Sequence, residues 1–300
     1  MHVTVDELRR SELASFLRIR RARISPDQVG LPVGRHRRAL GLRREEVSQL
    51  AGIGPTWYAW LEQGRNIKAS GPVLESIARV LQLDPEETSY LLALAGHPLP
   101  RNSVQISDLT TVERLIEQQG MNPAFVHNAR LDMLASNRAM QLAFPGYGPW
   151  GKFNLLRAVF TRRVNPPVLL NWEAHAQRMI ALFRTNWAQN LEDPAFTDLI
   201  EELSDASPEF RLWWARQDVG RGPITRVEVQ HPRVGRLMLV RTSFELSAHP
   251  DLTLVLYTPA PETDSAHKLA QLYHTSVPQE PVAIRTRRSK RAIRRPGPGV

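Results

Sequence analysis

The chain has 300 residues, 23% of them charged, no cysteine and a net charge of +9 at neutral pH. This length exceeds the usual single domain, so two domains are expected. The absence of cysteine excludes disulfides, thiolate metal sites and a thiol nucleophile, and it suits a reducing compartment. No stretch approaches 18 apolar residues and no apolar run follows the first charges, so we expect a cytoplasmic protein without a membrane span or signal peptide.

The positive charge is concentrated at the two ends of the chain. Residues 1–101 carry 15 Lys or Arg against 11 Asp or Glu, residues 102–284 carry 17 against 19, and residues 285–300 carry seven against none. Residues 18–44 contain nine arginines and a single acid. Such a cluster is typical of a phosphate-binding surface, and an ordinary solvated face is the alternative.

The first predicted helix overlaps the start of the basic cluster. Residues 11–24 begin with Ser11 as an N-cap and place apolar side chains near one face, which predicts an accessory helix. Two prolines and a glycine interrupt the pattern over residues 25–32. The segment VGRHRRALG, residues 33–41, is expected to form the first helix of a bundle.

A helix, a tight turn and a second helix are predicted over residues 42–64. In the first helix, Val47, Leu50 and Ala51 recur on one face as an inward stripe. Gly52 follows the last apolar residue and can adopt the left-handed conformation that ends a helix. The spacing is typical of a helix-turn-helix unit.

The second helix of this unit carries aromatic residues on its outer face. Pro55 suits its first turn, and Tyr58 and Leu61 are expected to face the first helix. The residues left mostly outward are Thr56, Trp57, Ala59 and Trp60. Large apolar rings are seldom left outward without a use. On a recognition helix they can contact thymine methyls or the sugar-phosphate chain, while a hydroxyl reaches a base edge or phosphate. The alternative is a helical hairpin whose tryptophans pack on another helix.

The remainder of the N-terminal domain is also predicted to be helical. Arg65 and Lys68 follow the recognition helix in a loop and are placed to contact phosphate. A helix is predicted over about residues 72–81, and the next begins with a capping box at Asp84. These elements predict a compact five-helix, all-α DNA-binding domain over residues 1–96.

The upstream segment FLRIRRARISPDQVGLP and the pattern GLRREEVSQLAG…WYAWLEQGR resemble the Xre/Cro-type helix-turn-helix of the MmyB-like transcriptional regulators. The resemblance implies DNA contacts at specific positions of this chain. These are Arg43, Arg44, Thr56, Trp57 and Trp60. It also implies a structural ion pair between Arg37 and Glu62.

A second domain is predicted after a linker. Residues 97–107 contain prolines and no periodicity, which is typical of a linker. Residues 108–276 show a short helix, two short β-rich runs, several helices, three strands and a last helix. This order predicts a PAS-like antiparallel sheet with inserted helices over one face, and hence an α+β chain. The basic tail, residues 277–300, is expected to be disordered, and either adds sequence-independent DNA affinity or is inert.

The segments NPAFVHNARLDMLASNRAMQLAF, NLLRAVF and HPRVGRLMLVRTSFEL resemble the ligand-binding domain of MmyB-like regulators. The resemblance implies a transcription factor whose second domain binds a small apolar molecule, with a fatty-acid-like ligand the usual suggestion.

The inserted helices carry more large aromatic side chains than are needed to cover the sheet. This surplus suits an apolar pocket closed by a few polar groups. The predicted pocket walls are Trp150, Phe153, Phe160, Trp172, Met179, Phe183, Trp187, Trp213 and Trp214. Packing alone is the alternative for these rings. The candidates to meet a carboxylate head group are Arg157, Arg178 and His231, for which a surface or structural role is the alternative.

Motifs of catalysis are not found in the sequence. Nine histidines occur, but no H-x-x-x-H pair or carboxylate constellation accompanies them, and there is no G-x-S-x-G elbow or P-loop. We therefore expect no metal, no cofactor and no enzyme. The favoured hypothesis is a regulator that binds double-stranded DNA as a homodimer, because two half-sites about 34 Å apart need two copies. The alternatives are a second domain that serves only dimerisation or protein interaction, and an enzyme acting on an apolar substrate.

Overall fold

The computed structural model describes residues 4–32, 41–97, 110–146, 153–161, 169–220, 226–246 and 249–275. The regular elements in the described residues of the N-terminal part are all helices, as predicted. Its elements are α1 (Val5–Arg23), a 3₁₀ turn (Pro26–Val29), α2 (Arg44–Ala51), α3 (Pro55–Glu62), α4 (Gly71–Val80) and α5 (Pro85–Leu94). The helix predicted over residues 33–41 lies outside the described residues, apart from Gly41.

The first helix begins earlier than predicted. Ser11 was expected to be its N-cap, but α1 starts at Val5 because Thr4 and Glu7 form a capping box. The Glu7 amide donates to the Thr4 hydroxyl at 3.2 Å, and the Thr4 amide donates to the Glu7 carboxylate at 2.8 Å. This reciprocal pairing satisfies two backbone donors that a helix N-terminus leaves open.

The inward face of α2 differs from the prediction by one residue. Val47 and Ala51 are buried, as predicted, whereas Leu50 is 40% exposed. Ser48 takes the inward position because its hydroxyl donates to the Arg44 carbonyl oxygen at 2.8 Å, within the helix itself. A hydroxyl satisfied in this way can be buried among apolar neighbours at little cost.

The second domain contains a five-stranded antiparallel sheet and seven helices in the described residues. These elements are α6 (Thr110–Glu117), β1 (Ala124–Asn128), β2 (Met133–Ser136), α7 (Arg138–Ala143), α8 (Leu155–Thr161), α9 (Trp172–Ala188), α10 (Pro194–Ala206), α11 (Pro208–Trp214), β3 (Arg226–His231), β4 (Gly235–Leu246), β5 (His249–Pro259) and α12 (Ser265–Thr275). The strand order is β2-β1-β5-β4-β3. The predicted succession of two strands, several helices and three strands, and the α+β class, are confirmed.

Helices cover both faces of the sheet, so the prediction of helices over one face is wrong. On one face, Ile116 of α6 packs with Val126 of β1 and Leu254 of β5. On the other face, Phe125 and Tyr257 pack with side chains of α7 and α12. The reason is that apolar residues occupy successive positions of the central strands, and successive side chains point to opposite faces.

The two domains share one hydrophobic core. A continuous cluster of buried apolar side chains extends from α1 and α5 into α9, α10 and α11 of the second domain. In the part of this cluster formed by the helical domain, Phe16 of α1 and Tyr90 of α5 meet edge to face with ring centroids 5.0 Å apart. The two domains are therefore docked on each other. The linker predicted over residues 97–107, apart from His97, and the tail predicted over residues 277–300 lie outside the described residues, and the domain boundaries stay predictions.

Candidate functional site

The exposed side of α3 carries a polar and an aromatic residue, as predicted. Tyr58 and Leu61 are buried against the other helices, while Thr56 is exposed and Trp60 is 37% exposed. Trp57 differs from the prediction, because it is half-buried and packs against the domain core. The surface of α3 that is available to DNA therefore consists chiefly of Thr56 and Trp60.

Basic residues flank this helix. The guanidinium of Arg65 lies over the Trp60 ring, 5.4 Å from its centroid. This cation–π contact holds a positive charge beside the exposed aromatic ring. Arg43, which is the N-cap residue of α2, and Lys68 are also exposed. Their exposure fits the predicted role in phosphate contact, which stays a prediction.

The C-terminal end of α3 is anchored by a buried carboxylate. The carboxylate of Glu62 accepts hydrogen bonds from Nε of Arg21 and Nε of Arg44, each at 2.6 Å, and from Nη2 of Arg21 at 3.0 Å. Burial raises the pKa of Glu62, but the hydrogen bonds from the two arginines outweigh it and leave the pKa below its ordinary value. Arg37, the predicted partner of Glu62, lies outside the described residues.

Sequence reasoning missed the role of Arg21 and the position of Arg44. Arg21 lies 41 residues before Glu62, so no local spacing relates them. Arg44 was assigned to DNA, yet its Nε is held by Glu62, while 40% of its side chain remains exposed. Arg44 is therefore placed to orient α3 relative to α2, and its contact with DNA stays a prediction.

The second domain encloses a cavity of about 380 Å³ between the sheet, α8 and α9. Of the predicted walls, Phe153 and Met179 line it, and so does Arg178, a predicted head-group residue. Its other apolar lining residues include Phe125, Leu131, Met140, Phe144, Leu155 and Leu182. The size and the predominance of apolar side chains are typical of small-molecule sites.

Most of the predicted aromatic walls lie elsewhere. They fill the core between α8, α9, α10 and α11, where rings pack on one another at centroid distances of 5.2–6.0 Å. The residues placed in this core are Phe160, Trp172, Phe183, Trp187, Trp213 and Trp214. These residues do not line the cavity, because the helices pack on each other and on the DNA-binding domain and the large rings fill that core. Trp150 lies outside the described residues.

Two of the three predicted head-group residues are also placed away from the cavity. Arg157 forms an exposed ion pair with Glu202, with its Nε 2.8 Å from a carboxylate oxygen. His231 lies with Nε2 2.9 Å from the Leu142 carbonyl oxygen, and its Nδ1 accepts from the Arg233 amide at 3.1 Å. His231 therefore supports the turn between β3 and β4, and neither residue lines the cavity.

The cavity has a cationic end that the sequence analysis only partly identified. Arg178 on α9 and Arg241 on β4 line it together with His175. Arg241 pairs in register with Tyr257 of β5, and the two side chains share a hydrogen bond. A signal for Arg241 exists in the sequence, because strand alternation places it on the same face as the buried Leu237 and Leu239.

A neutral imidazole lies beside these two arginines. Burial, followed by the charges of Arg241 and Arg178, lowers the pKa of His175 to about 4. Its Nδ1 is buried and has no hydrogen-bond partner within the described part of the chain. Glu245 also lines the cavity and lies four residues further along β4. The strand rise places its Cα atom about 13 Å from that of Arg241. The cationic end is thus electrostatically suited to an anionic group.

The low pKa of His175 has a consequence for stability. The native imidazole stays neutral between pH 6.5 and about 4, whereas the unfolded chain binds the proton there. The free energy of unfolding should therefore fall as the pH falls through this window, by on the order of 2 to 3 kcal/mol from this residue. Urea denaturation should show that the free energy of unfolding falls less between pH 7 and pH 4.5 in His175→Gln than in the wild type. The exposed His267→Gln serves as control, and an equal loss in both variants would contradict the assignment.

An exposed recognition helix with flanking arginines, joined to an α+β domain around a cavity, defines a DNA-binding transcription regulator with a ligand-binding domain. Residues 110–272 match the family model described as the MmyB-like transcription regulator ligand binding domain, and residues 12–91 match a helix-turn-helix domain model. The chain belongs to the MmyB-like transcription regulators. Comparison with curated proteins finds no match to it. In the described part of the chain, no helix combines the length and apolarity needed to cross a membrane.

Proposed function

We propose that this regulator binds its operator as a homodimer and that an anionic, largely apolar small molecule in the cavity changes operator affinity. The observation that carries the proposal is the cavity of about 380 Å³, whose lining is mainly apolar and whose polar residues include Arg178, Arg241 and the neutral His175. A fatty-acid-like molecule combines the required chain and carboxylate. Charge-assisted hydrogen bonds between guanidinium and carboxylate groups are among the strong ones in proteins.

On the DNA side, α3 would enter the major groove with Thr56 and Trp60 toward the bases. The exposed Arg43, Arg65 and Lys68 would contact phosphates and set the register of the helix. A single recognition helix reads few base pairs, and a dimer would place two such helices on half-sites about one helical turn apart. Glu62 would hold the helix in its binding orientation.

Two substitutions separate base recognition from phosphate contact. Thr56→Ala should weaken binding to the selected operator by about tenfold and leave binding to random DNA unchanged, since it removes a base contact. Arg65→Ala should weaken both, and lower the slope of log K against log salt by about 1. The operator is first selected from a random pool with the full chain, and affinities are then measured by fluorescence anisotropy over a salt series. Arg114→Ala, at an exposed position on α6, is the control.

The same measurement can contradict this assignment. If both variants lose affinity equally on the selected operator and on random DNA, Thr56 does not read a base. If Arg65→Ala leaves the salt slope unchanged, Arg65 does not neutralise a phosphate.

The ligand is tested by native mass spectrometry of the freshly purified full chain, followed by denaturing extraction of any bound molecule. A stoichiometric long-chain acid, and a shift in operator affinity when it is added back, support the proposal. The proposal is contradicted if the protein carries no bound molecule and its operator affinity is unchanged by added dodecanoate. That result favours a second domain that serves only dimerisation or protein interaction.

A further inference from the structure

Helix α9 forms a wall of the cavity and also part of the contact with the DNA-binding domain. The cavity is lined by five residues of α9 at positions i, i+3, i+4, i+7 and i+11, which form one stripe of a helix: His175, Arg178, Met179, Leu182 and Asn186. Arg184, two residues after Leu182, points from the opposite side of the helix. A displacement of α9 by an occupant of the cavity therefore reaches the domain contact directly.

The side chain of Arg184 joins the two domains. It is fully buried, and its Nη1 donates to Oε1 of Gln217 at 2.7 Å and lies 3.4 Å from both Glu12 on α1 and Tyr90 on α5. Its Nη2 donates to the Trp214 carbonyl oxygen, and the guanidinium lies 3.6 Å from the centroid of the Trp214 ring. One cation of the second domain thus contacts two helices of the DNA-binding domain.

Helix α1 continues this contact toward the recognition helix. Nε2 of Gln217 donates to Glu12 at 2.9 Å, and Arg20 donates to the Gln217 carbonyl oxygen at 3.0 Å. The adjacent Arg21 holds Glu62 at the end of α3. Contacts therefore run without interruption from α9, through Arg184 and α1, to the helix assigned to DNA.

The cationic end of the cavity lies close to the DNA-binding domain as well. Glu86 on α5 acts on Arg178 by Coulombic attraction, and the neighbouring Glu87 forms an ion pair with Arg20 at 2.9 Å. An anion bound in the cavity would compete with Glu86 for Arg178. Occupied and empty cavities would then differ in the electrostatic attraction between the domains, which is the differential interaction that a ligand needs to shift a conformational equilibrium.

We propose that α9 transmits occupancy of the cavity to the recognition helix, and that Arg184 is the positioning residue that couples the two domains. The proposal rests on the proposed function for the presence of a ligand, but the coupling itself is a property of the chain. It can be tested without knowledge of the ligand or the operator. Coupling between sites typically amounts to a five- to 150-fold effect.

The test is a double-mutant cycle in the full chain, with hydrogen–deuterium exchange as the measured quantity. Ala158→Phe, on α8, places a ring into the cavity as a substitute for a ligand. We expect it to change the exchange rates of amides in α3 and α5 by about fivefold or more. In the Arg184→Met background the same substitution should change them less than twofold. Arg157→Met, which breaks an exposed ion pair within the second domain, is the matched control and should preserve the full response.

Two results would overturn the proposal. One is an Ala158→Phe protein in which α3 and α5 exchange as in the wild type, and the other is an equal response with and without Arg184. If Arg184→Met does not fold, Glu12→Gln takes its place, because it weakens the same contact from α1. If Ala158→Phe does not fold, Val159→Phe takes its place at the cavity. Native mass spectrometry of the wild type with dodecanoate is the separate arm. Failure to bind dodecanoate there contradicts the ligand class in the proposed function, while the exchange cycle still decides the coupling.

Discussion

Glu62→Gln is expected to lower the free energy of unfolding by about 3–5 kcal/mol, the usual cost of breaking a buried ion pair from one side. The carboxylate is fully buried and accepts three hydrogen bonds from Arg21 and Arg44. A glutamine offers one acceptor oxygen, and its amide group would face guanidinium donors. Urea denaturation of the full chain, followed by tryptophan fluorescence, measures the change. Operator affinity should fall as well, because α3 loses the anchor at its end.

The control for this prediction is Glu202→Gln, which removes the partner of Arg157 from an exposed ion pair. Exposed pairs of this kind contribute about 0–1 kcal/mol. The pKa of Glu62 is lowered in the native protein, so its stabilisation is fully present above the ordinary value of 4.5 and is lost as the pH falls through the native value. Glu62→Gln should remove that part of the acid-induced loss. A loss of stability no larger than that of the control would contradict the role assigned to Glu62.

Arg241→Met is expected to weaken binding of dodecanoate about 10- to 100-fold and to leave binding of dodecanol nearly unchanged. A hydrogen bond to a charged group contributes about 1.5–3 kcal/mol, which corresponds to this range. Methionine keeps the apolar body of the side chain, so the apolar lining of the cavity is retained. Isothermal titration calorimetry with both probes separates the charge contribution from the apolar contribution.

The matched control for the ligand prediction lies on the same strand. The side chain of Arg236 is 57% exposed and forms an ion pair with Glu228 on β3. Arg236 does not line the cavity. Arg236→Met should bind both probes as the wild type does. If dodecanol loses as much affinity as dodecanoate in Arg241→Met, the residue shapes the cavity and does not recognise the anion. If Arg236→Met loses as much as Arg241→Met, the effect is one of overall charge.

Elements whose signals are local were predicted well from the sequence. The capping box of α5 is present, with the Glu87 amide 2.8 Å from the Asp84 carboxylate and the Asp84 amide 3.0 Å from Glu87. Gly52 ends α2 with φ of +70°, and Tyr58 and Leu61 are buried as their spacing predicts. In each case a few neighbouring residues determine the geometry, since helix caps and helix faces follow from separations of three or four positions.

The cavity and the ion pairs required the tertiary structure. Arg21 meets Glu62 across 41 residues and Arg184 approaches Glu12 across 172, so no spacing in the sequence relates these partners. Aromatic side chains of the inserted helices look alike in the sequence whether they line a cavity or fill a core. Their placement in the core depends on which helices pack together.

The sequence by itself therefore determined the helix-turn-helix, the order of strands and helices, and the α+β class, because caps, turns and periodicities are set by neighbouring residues. Only the tertiary structure decided that helices cover both faces of the sheet, that Arg241 joins Arg178 at the cavity, and that Arg184 bridges the two domains. Those features depend on contacts between distant segments, where burial and geometric fit select one arrangement among many that the local pattern permits.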